Sequence, residues 1–169
     1  MATTASALLQ ILAHAELKAD DSADPGAGGT LTMEVNNGTG GRRWSQGTGS
    51  GQVDRPYMRT RSMTSGQTHS YNLLAAGSLT DALGQTIDGD ELKGLVLKCL
   101  TGTIAMEAPA SAFLGIFSDA TDLINLSAGQ AVAFDFGATG LDITSAASFD
   151  IVEKAASTAT YELWLVLAQ

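Results

Sequence analysis

Hydrophobic and polar positions alternate along most of this chain in short runs, with glycine, asparagine and aspartate between them. Alternation with a period of two is typical of strands that bury one face, and turn signals at intervals of about 8–12 residues are typical of β-sandwiches and barrels. The pattern therefore predicts an all-β chain. From residue 56 onward the predicted strands are YMRTRSM (57–63), SYNLLA (70–75), LKGLVLKCL (92–100), GTIAME (102–107), AFLGIF (112–117), LINLSA (123–128), AVAFDF (131–136), LDIT (141–144), FDIVEK (149–154) and ATYELWLVLA (159–168).

A sandwich and a barrel both fit this pattern, and of the two we predict an antiparallel β-sandwich that is jelly-roll-like. The run at 92–100 is almost continuously apolar, which predicts a strand in the core with Lys93 and Lys98 at its faces or edges. The alternation in two later strands predicts the side chains that point inward, namely Val132, Phe134, Phe136, Leu163, Leu165 and Leu167.

The N-terminal third is different. Residues 7–18 show helix-like spacing and strand-like alternation at once, so both structures stay open there, while TLTMEV (30–35) alternates as a strand does. Residues 36–52 are rich in glycine and show no period, which predicts an extended N-terminal arm rather than a core element. We therefore predict two parts: an N-terminal segment with a Gly-rich arm (1–52) and a β-sandwich domain (53–169).

The charges are few and unevenly placed. Charged residues make up 16% of the chain, and its net charge is −9. All five arginines lie within residues 42–61, a window whose single acid, Asp54, leaves it at about +4, while four lysines and seventeen acids leave the remainder at −13. An acidic body argues against nucleic acid as the main partner, and no apolar stretch reaches the roughly 18 residues of a membrane span.

The stretch GSLTDALGQTIDGDELKGLVLKCL (77–100) raises the question of an acidic site. Its DGDE phrase does not have the spacing of a calcium loop, and a two-residue Asp-Gly turn explains it. We therefore interpret these acids as turn residues that introduce a strand. They are Asp81, Asp88, Asp90 and Glu91.

Three further features are candidates for a metal-binding or catalytic site. Asp119 and Asp122 in FSDATDLI are interpreted as a surface turn, with adventitious cation binding as the alternative. His69 has no nucleophile elbow to serve, since no G-x-S-x-G motif occurs in the chain. Cys99 is the single cysteine and is interpreted as a small buried hydrophobe, so we expect no internal disulfide and no thiolate metal cluster. Since the chain carries no enzyme signature, we also expect no cofactor and no enzymatic activity.

The phrases GSLTDALGQTI, LKGLVLKCL, FSDATDLINLSAGQAVAF and LDITSAASFDIVEKAASTATYELWLVLAQ, preceded by GTGSGQVDRPYMRTRSM and SYNL, resemble a family of small structural proteins of tailed-bacteriophage virions. The resemblance covers about residues 44–169, and its motifs are turns and strands rather than catalytic signatures. The segment 101–117 and the turn SAGQ (127–130) depart from the family pattern, and residues 1–43 have no counterpart in it.

The resemblance implies a non-enzymatic virion protein, assembled in the cytoplasm of a bacterial host, that decorates or stabilises the head lattice. Its partners would be the major capsid protein or other virion proteins, and copies of itself. Two alternatives stay open: a neck or tail accessory protein, and a β-sandwich module that binds carbohydrate or a host surface. The aromatic residues that would stack on sugars in the last case are Trp44, Tyr57, Tyr71 and Trp164.

The arginine-rich window supplies the candidate interface. The planar guanidinium of arginine pairs bidentately with carboxylates, so a basic segment on an acidic body is suited to dock on an acidic surface of a neighbouring subunit. The alternative is an ordinary solvated strand and loop, in which an exposed ion pair contributes about 0–1 kcal/mol. The predicted interface residues are Arg42, Arg43, Trp44, Arg55, Tyr57, Arg59 and Arg61.

Overall fold

Strands are the regular elements of this protein. The computed structural model describes residues 10–16, 30–36, 42–46, 49–53, 55–74, 79–80, 86–87, 89–110, 114–145 and 147–168, the first three ranges by their backbone pairing alone. The all-β prediction is confirmed. The strands are β1 (Gln10–Glu16), β2 (Thr30–Asn36), β3 (Arg42–Gln46), β4 (Gln52–Val53), β5 (Arg55–Met63), β6 (Thr68–Asn72), β7 (Leu79–Thr80), β8 (Thr86–Ile87), β9 (Glu91–Thr101), β10 (Thr103–Glu107), β11 (Leu123–Ser127), β12 (Ala131–Asp135), β13 (Leu141–Asp142), β14 (Ser148–Glu153) and β15 (Ala159–Ala168).

The chain divides into two compact units, Met1–Gln46 and Gly47–Gln169. In the first unit β1 pairs antiparallel with β2, and β2 pairs antiparallel with β3. Residues 10–16 are thus a strand, which decides the choice that the spacing of 7–18 left open. Arg42–Gln46 also forms a strand, although it lies within the stretch predicted as an arm. The division of the chain at residues 52 and 53 stays a prediction about which part folds by itself.

The second unit is a β-sandwich with jelly-roll topology. One sheet, here the first sheet, has the strand order β12-β9-β15-β5, with β13 also paired to β9. The other, here the second sheet, has the order β11-β10-β14-β6. Every pairing in both sheets is antiparallel. The chain changes sheet between β5 and β6, β6 and β9, β9 and β10, β11 and β12, β13 and β14, and β14 and β15. Together with the two strand orders, this is the topology of a jelly roll. The predicted fold class is confirmed.

The core lies between the two sheets. Leu163, Leu165 and Leu167 are buried there as predicted. Burial of each stabilises the fold by about 1.5–3 kcal/mol relative to exposure. Val132 and Phe134 in β12, and Phe136 just after it, were also predicted to point inward, and they are half-buried against the same core. They are less covered because β12 is the last strand of its sheet.

One local prediction is wrong. The described part of the AFLGIF segment, residues 114–117, is a turn and not a strand: Phe117 N–H donates to Leu114 O at 3.0 Å, and Leu114 N–H donates to Ser148 O at 2.7 Å. Both side chains are nevertheless buried, so the run is apolar because a turn covers the core. The predicted Asp-Gly turn includes Asp88, which lies outside the described residues. Gly89 is packed close to β15, where an added Cβ would lie 3.1 Å from Ala168 O.

Candidate interaction surface

Strand β5 carries three of the five arginines and is the last strand of the first sheet. Tyr57 and Met63 on this strand are buried, so the odd-numbered side chains face the interior of the sandwich. Met58 on the opposite face is 55% exposed. The arginines Arg55, Arg59 and Arg61 therefore share the inward-facing side of an edge strand. Because β5 is the last strand of its sheet, these side chains lie at the border of the sandwich interior.

Arg59 and Arg61 contact other residues of the second unit. Nη2 of Arg59 donates to Thr80 O at 3.1 Å and lies 3.5 Å from Thr80 Oγ1, which ties β5 to β7. Partial burial by itself lowers the pKa of Arg61, but its hydrogen bond to the side chain of Tyr71 and the nearby tyrosines together outweigh burial, so the pKa is raised. Arg55 is half-buried at the start of the strand. Arg42, Arg43 and Trp44 lie in β3, and their side chains are outside the described residues.

A network of hydroxyl groups lies beside Arg61. It is on the side of the sandwich where β5 is the last strand of the first sheet and β6 is the last strand of the second. Tyr71 Oη and Tyr161 Oη are 2.6 Å apart, and Tyr161 Oη is 2.7 Å from Nδ1 of His69. Burial raises the pKa of Tyr161, and Tyr71 adds to the effect. Burial also lowers the pKa of His69, with a further contribution from the positive charge of Arg61. The network thus connects the two sheets through neutral hydroxyls, and one imidazole nitrogen of His69 is engaged in it.

Tyr57 is a correction to the predicted interface. Its side chain is only 5% exposed and its ring meets that of Tyr71 edge-on, with centroids 6.5 Å apart. Burial raises the pKa of Tyr57 to about 12. Since Tyr57 points into the core, it presents no surface to a partner. Tyr71 is buried as well and stacks on Phe149 at 5.0 Å, so neither residue can stack on a sugar.

Trp164 lies in β15, opposite Met58 of β5. It is half-buried on the outer face of the first sheet. Strand β15 is central, but even-numbered residues point outward from it. The outer face of the first sheet therefore presents the side chains of Met58 and Trp164 next to each other.

Asp119 and Asp122 act as turn residues, as interpreted from the sequence. Oδ2 of Asp122 accepts from Ser118 N–H at 2.7 Å, and Oδ1 of Asp119 accepts from both N–H and Oγ1 of Thr121 at 2.8 Å. This hydrogen bonding lowers the pKa of Asp119. Asp90 lies exposed in the turn before β9. Asp81 and Asp88 are outside the described residues.

Glu91 was interpreted as a turn residue, but it lies at the start of β9 and pairs with Lys93. The predicted place for Lys93 was a face or edge, yet its side chain is 0% exposed. Its Nζ forms an ion pair with Glu91 and also donates to Ala138 O at 3.0 Å and Thr139 O at 2.7 Å. The signal in the sequence was a lysine inside an otherwise apolar run, but only the loop at 137–140 explains its burial. Cys99 is buried as expected.

Over the described ranges, no group of three or more histidine, cysteine, aspartate or glutamate side chains is arranged to hold a metal ion. The same ranges contain no helix that is long and apolar enough to cross a membrane.

No protein-family model and no curated protein matches this sequence. Among solved structures, the Drosophila melanogaster CENP-C cumin domain is similar with a TM-score of 0.38 and 8% identity, covering 96% of this chain and 84% of that one. A cupin superfamily protein from Desulfitobacterium hafniense DCB-2 has a TM-score of 0.37 and 13% identity, covering 83% and 78%. Bacillus endospore appendages, a family of disulfide-linked pili, have a TM-score of 0.31 and 12% identity, covering 73% and 96%. Such TM-scores are too low to support a functional inference, and the jelly-roll assignment rests on the strand order.

Proposed function

We propose that this chain is a non-enzymatic structural protein of a tailed-bacteriophage virion that decorates and stabilises the head. The observation that carries the proposal is the edge strand β5, which presents Arg55, Arg59 and Arg61 on one face and an exposed Met58 on the other. The sequence resemblance over about residues 44–169 supports the virion assignment. The major capsid protein, or another virion protein, is the proposed partner, and the virion the proposed location.

The charge distribution suits docking on an acidic lattice. A window of about +4 on a chain whose remainder carries −13 orients the molecule in the field of an acidic partner and raises the association rate. Each exposed arginine contact is weak by itself. Many identical copies on one lattice become stable through multivalency, because a subunit held by its neighbours rebinds before it diffuses away.

The hydrogen bonding of the acids and His69 supports a structural role. Asp119 and Asp122 hold the turn before β11 through backbone amides, and Glu91 pairs with Lys93. His69 is joined to Tyr161. These side chains serve turns and the connection between sheets, so the same groups need no catalytic role to account for their positions.

The first experiment asks whether the protein is on the particle. Mass spectrometry of purified particles is expected to detect it in hundreds of copies, as a head-decoration protein requires. A dozen copies or fewer would indicate the neck or tail alternative. Absence from the particles would contradict the virion proposal altogether.

The second experiment tests the docking surface with charge-matched variants. R55E/R61E and K98E/K154E each replace two cations by two acids, and Lys98 and Lys154 lie outside β5. Arg59 is left intact because it supports β7 through Thr80. Binding to particles that lack this protein is expected to weaken at least about tenfold for R55E/R61E only, and added salt should weaken parental binding. A folded R55E/R61E variant that binds like the parent at moderate salt would contradict the docking role.

A carbohydrate-binding module is the second candidate, and one observation favours it: Trp164 is half-buried beside Met58 on an outer face. The burial of Tyr57 and Tyr71 removes two of the four aromatics on which that alternative relied. A glycan array separates the two functions. Specific binding that is lost in a Trp164→Ala variant would favour the carbohydrate module over head decoration.

A further inference from the structure

The direction of the backbone groups of β5 follows from the bonding of the strands beside it. Odd-numbered residues of β9 bond to the β12 side, since Cys99 N–H donates to Gln130 O at 2.9 Å and Phe136 N–H donates to Lys93 O at 3.0 Å. Even-numbered residues of β9 therefore bond to β15, where they stand opposite even-numbered partners such as Trp164. This leaves the odd-numbered residues of β15 to bond to β5.

The register between β15 and β5 then identifies the free groups. Tyr161 stands opposite Arg61, so the odd-numbered residues of β5 bond to β15. The N–H and C=O groups of Met58, Thr60 and Ser62 point the other way, to the side where no described strand pairs with β5. Pro56 has the same orientation and lacks an N–H, which fits a proline at the open edge of a sheet. At the edge of the first sheet, β5 therefore has backbone N–H and C=O groups at three alternate residues that no described strand bonds.

The two faces of this edge differ in chemistry. The interior-facing side carries the arginines, with Arg61 exposed next to Tyr71. The outer side carries Met58, 55% exposed, with Trp164 across from it. A strand added along β5 would place alternate side chains beside Arg61 on one face and beside Met58 on the other.

We propose that the open edge of β5 binds an extended acidic segment of a partner protein by β-strand addition. Main-chain bonds to Met58, Thr60 and Ser62 hold the segment. Its acidic residues, at every second position, pair with the arginine face. An apolar residue between them contacts Met58. The inference rests on the proposed function, because both place the partner on β5. It adds that the bound segment is an extended strand with acidic residues at every second position.

Charge complementarity selects an acidic segment over a second copy of β5. Two copies paired edge to edge would bring arginines opposite or diagonal to arginines, and like charges at such cross-strand positions destabilise a sheet. The competing explanation is that arginines and Pro56 only keep the edge from pairing at all, as charged residues and proline do on many edge strands. The two explanations differ in whether an acidic peptide binds.

The test uses a capped synthetic peptide of about seven residues, long enough to span roughly 23 Å of strand, with glutamate at alternate positions and valine or threonine between. Amide hydrogen exchange of the full chain is measured with and without this peptide. Exchange at Met58, Thr60 and Ser62 is expected to slow about tenfold at a free peptide concentration of roughly ten times the dissociation constant. Exchange at Tyr57 and Arg59 should not change, because these amides already bond to β15.

Peptide controls separate main-chain pairing from simple charge attraction. N-methylation at the alternate residues that bond to β5 should abolish binding, whereas N-methylation at the other set should leave it intact. The same composition with all glutamates contiguous should bind more weakly. An R61E variant is expected to weaken binding about fivefold, and K98E, which makes the same charge change on β9, should not.

Three results would overturn the inference: no binding of the alternating peptide, equal binding of both N-methylated peptides, or protection of amides elsewhere in the chain. If the alternating peptide does not bind, the R55Q/R61Q variant is tested for self-association. Self-association of this variant would show that the arginines keep the edge of β5 from pairing. Particle binding is independent of this test. A protein that docks on particles without binding the peptide retains the proposed function and loses strand addition, and the reverse result contradicts the proposed function alone.

Discussion

At the scale of single residues, Glu153 shows how a carboxylate at the end of a strand joins two turns. Its Oε2 accepts from Gly66 N–H at 2.8 Å, and its Oε1 accepts from Ala155 N–H at 2.6 Å and Ser157 N–H at 3.3 Å. These backbone amides, Gly66 first, lower the pKa of Glu153 against the opposing effect of burial. The turn between β5 and β6 is thereby connected to the turn between β14 and β15.

The lowered pKa predicts an acid-dependent stability. A carboxyl whose pKa is lower in the folded state stabilises the fold above its unfolded pKa, about 4.3, and this contribution is lost as the pH falls through the folded value. Glu153→Gln is expected to lower the melting temperature at neutral pH and to flatten its decline below about pH 4.5. Glu162→Gln, on the outer side of β15, is the control. Identical pH profiles for E153Q and the parent would refute this role.

Lys93 is a second residue whose side chain affects stability. A buried ammonium is tolerated only when its N–H groups are hydrogen-bonded and its charge is paired. Lys93→Met leaves the carbonyls of Ala138 and Thr139, and the carboxylate of Glu91, without their donor. Since the side chain of Glu91 is 35% exposed and can recruit water, we expect a loss near the lower end for broken buried pairs, about 3 kcal/mol.

Urea unfolding measures the effect of Lys93→Met. The control is Lys98→Met in the same strand, where the side chain is exposed and a change within about 0.5 kcal/mol is expected. Equal stabilities of the two variants would show that the Lys93 contacts contribute little.

At the scale of elements, a comparison of two turn glycines distinguishes the cost of backbone strain from the cost of a steric clash. Gly102 joins β9 to β10 with φ of 75°, and Gly129 lies between β11 and β12 with φ of 83°. A Cβ on Gly102 would lie 2.6 Å from Thr158 O and 2.9 Å from Ala159 Cβ, while nothing lies within 4 Å of one on Gly129. Gly129 therefore carries the conformational cost alone.

Alanine substitution is expected to follow that difference. Gly129→Ala should destabilise the protein by about 1 kcal/mol, the cost of a left-handed backbone for a residue with a side chain. Gly102→Ala should cost roughly 1–3 kcal/mol more, because β15 must move away from the new methyl group. Chemical denaturation of both variants gives the comparison. If the two lose the same stability, the close approach of β15 at Gly102 is not what requires glycine there.

At the scale of the whole molecule, Cys99 reports on opening of the sandwich. Its thiol is 0% exposed in β9, and burial raises its pKa. A thiol reagent should therefore modify it only when the core opens, at a rate roughly a thousandfold or more below that of the unfolded chain. Lys93→Met, destabilised by about 3 kcal/mol, should react about a hundredfold faster. Rapid labelling of the parent in native buffer would mean that the core opens locally near Cys99.

Much of the fold was predictable from the sequence because strand periodicity is local. Alternation along the chain identified β5, β9 and β10–β15 and the inward leucines of β15, since successive side chains of a strand point to opposite faces whatever the neighbours are. The segregation of the arginines was also visible in the sequence. It identified the strand on which the candidate surface is built.

The tertiary structure alone decided which strands pair and what each ambiguous residue does. An apolar run can cover a core from a strand or from a turn, so 112–117 could not be assigned from composition. Lys93 is buried because the carbonyls of a distant loop reach it, and Tyr57 and Arg61 lie on one side of β5 yet differ in exposure because only the first is covered by the second sheet. Each outcome depends on contacts between residues far apart in the chain, and local sequence contains no information on which distant groups will meet.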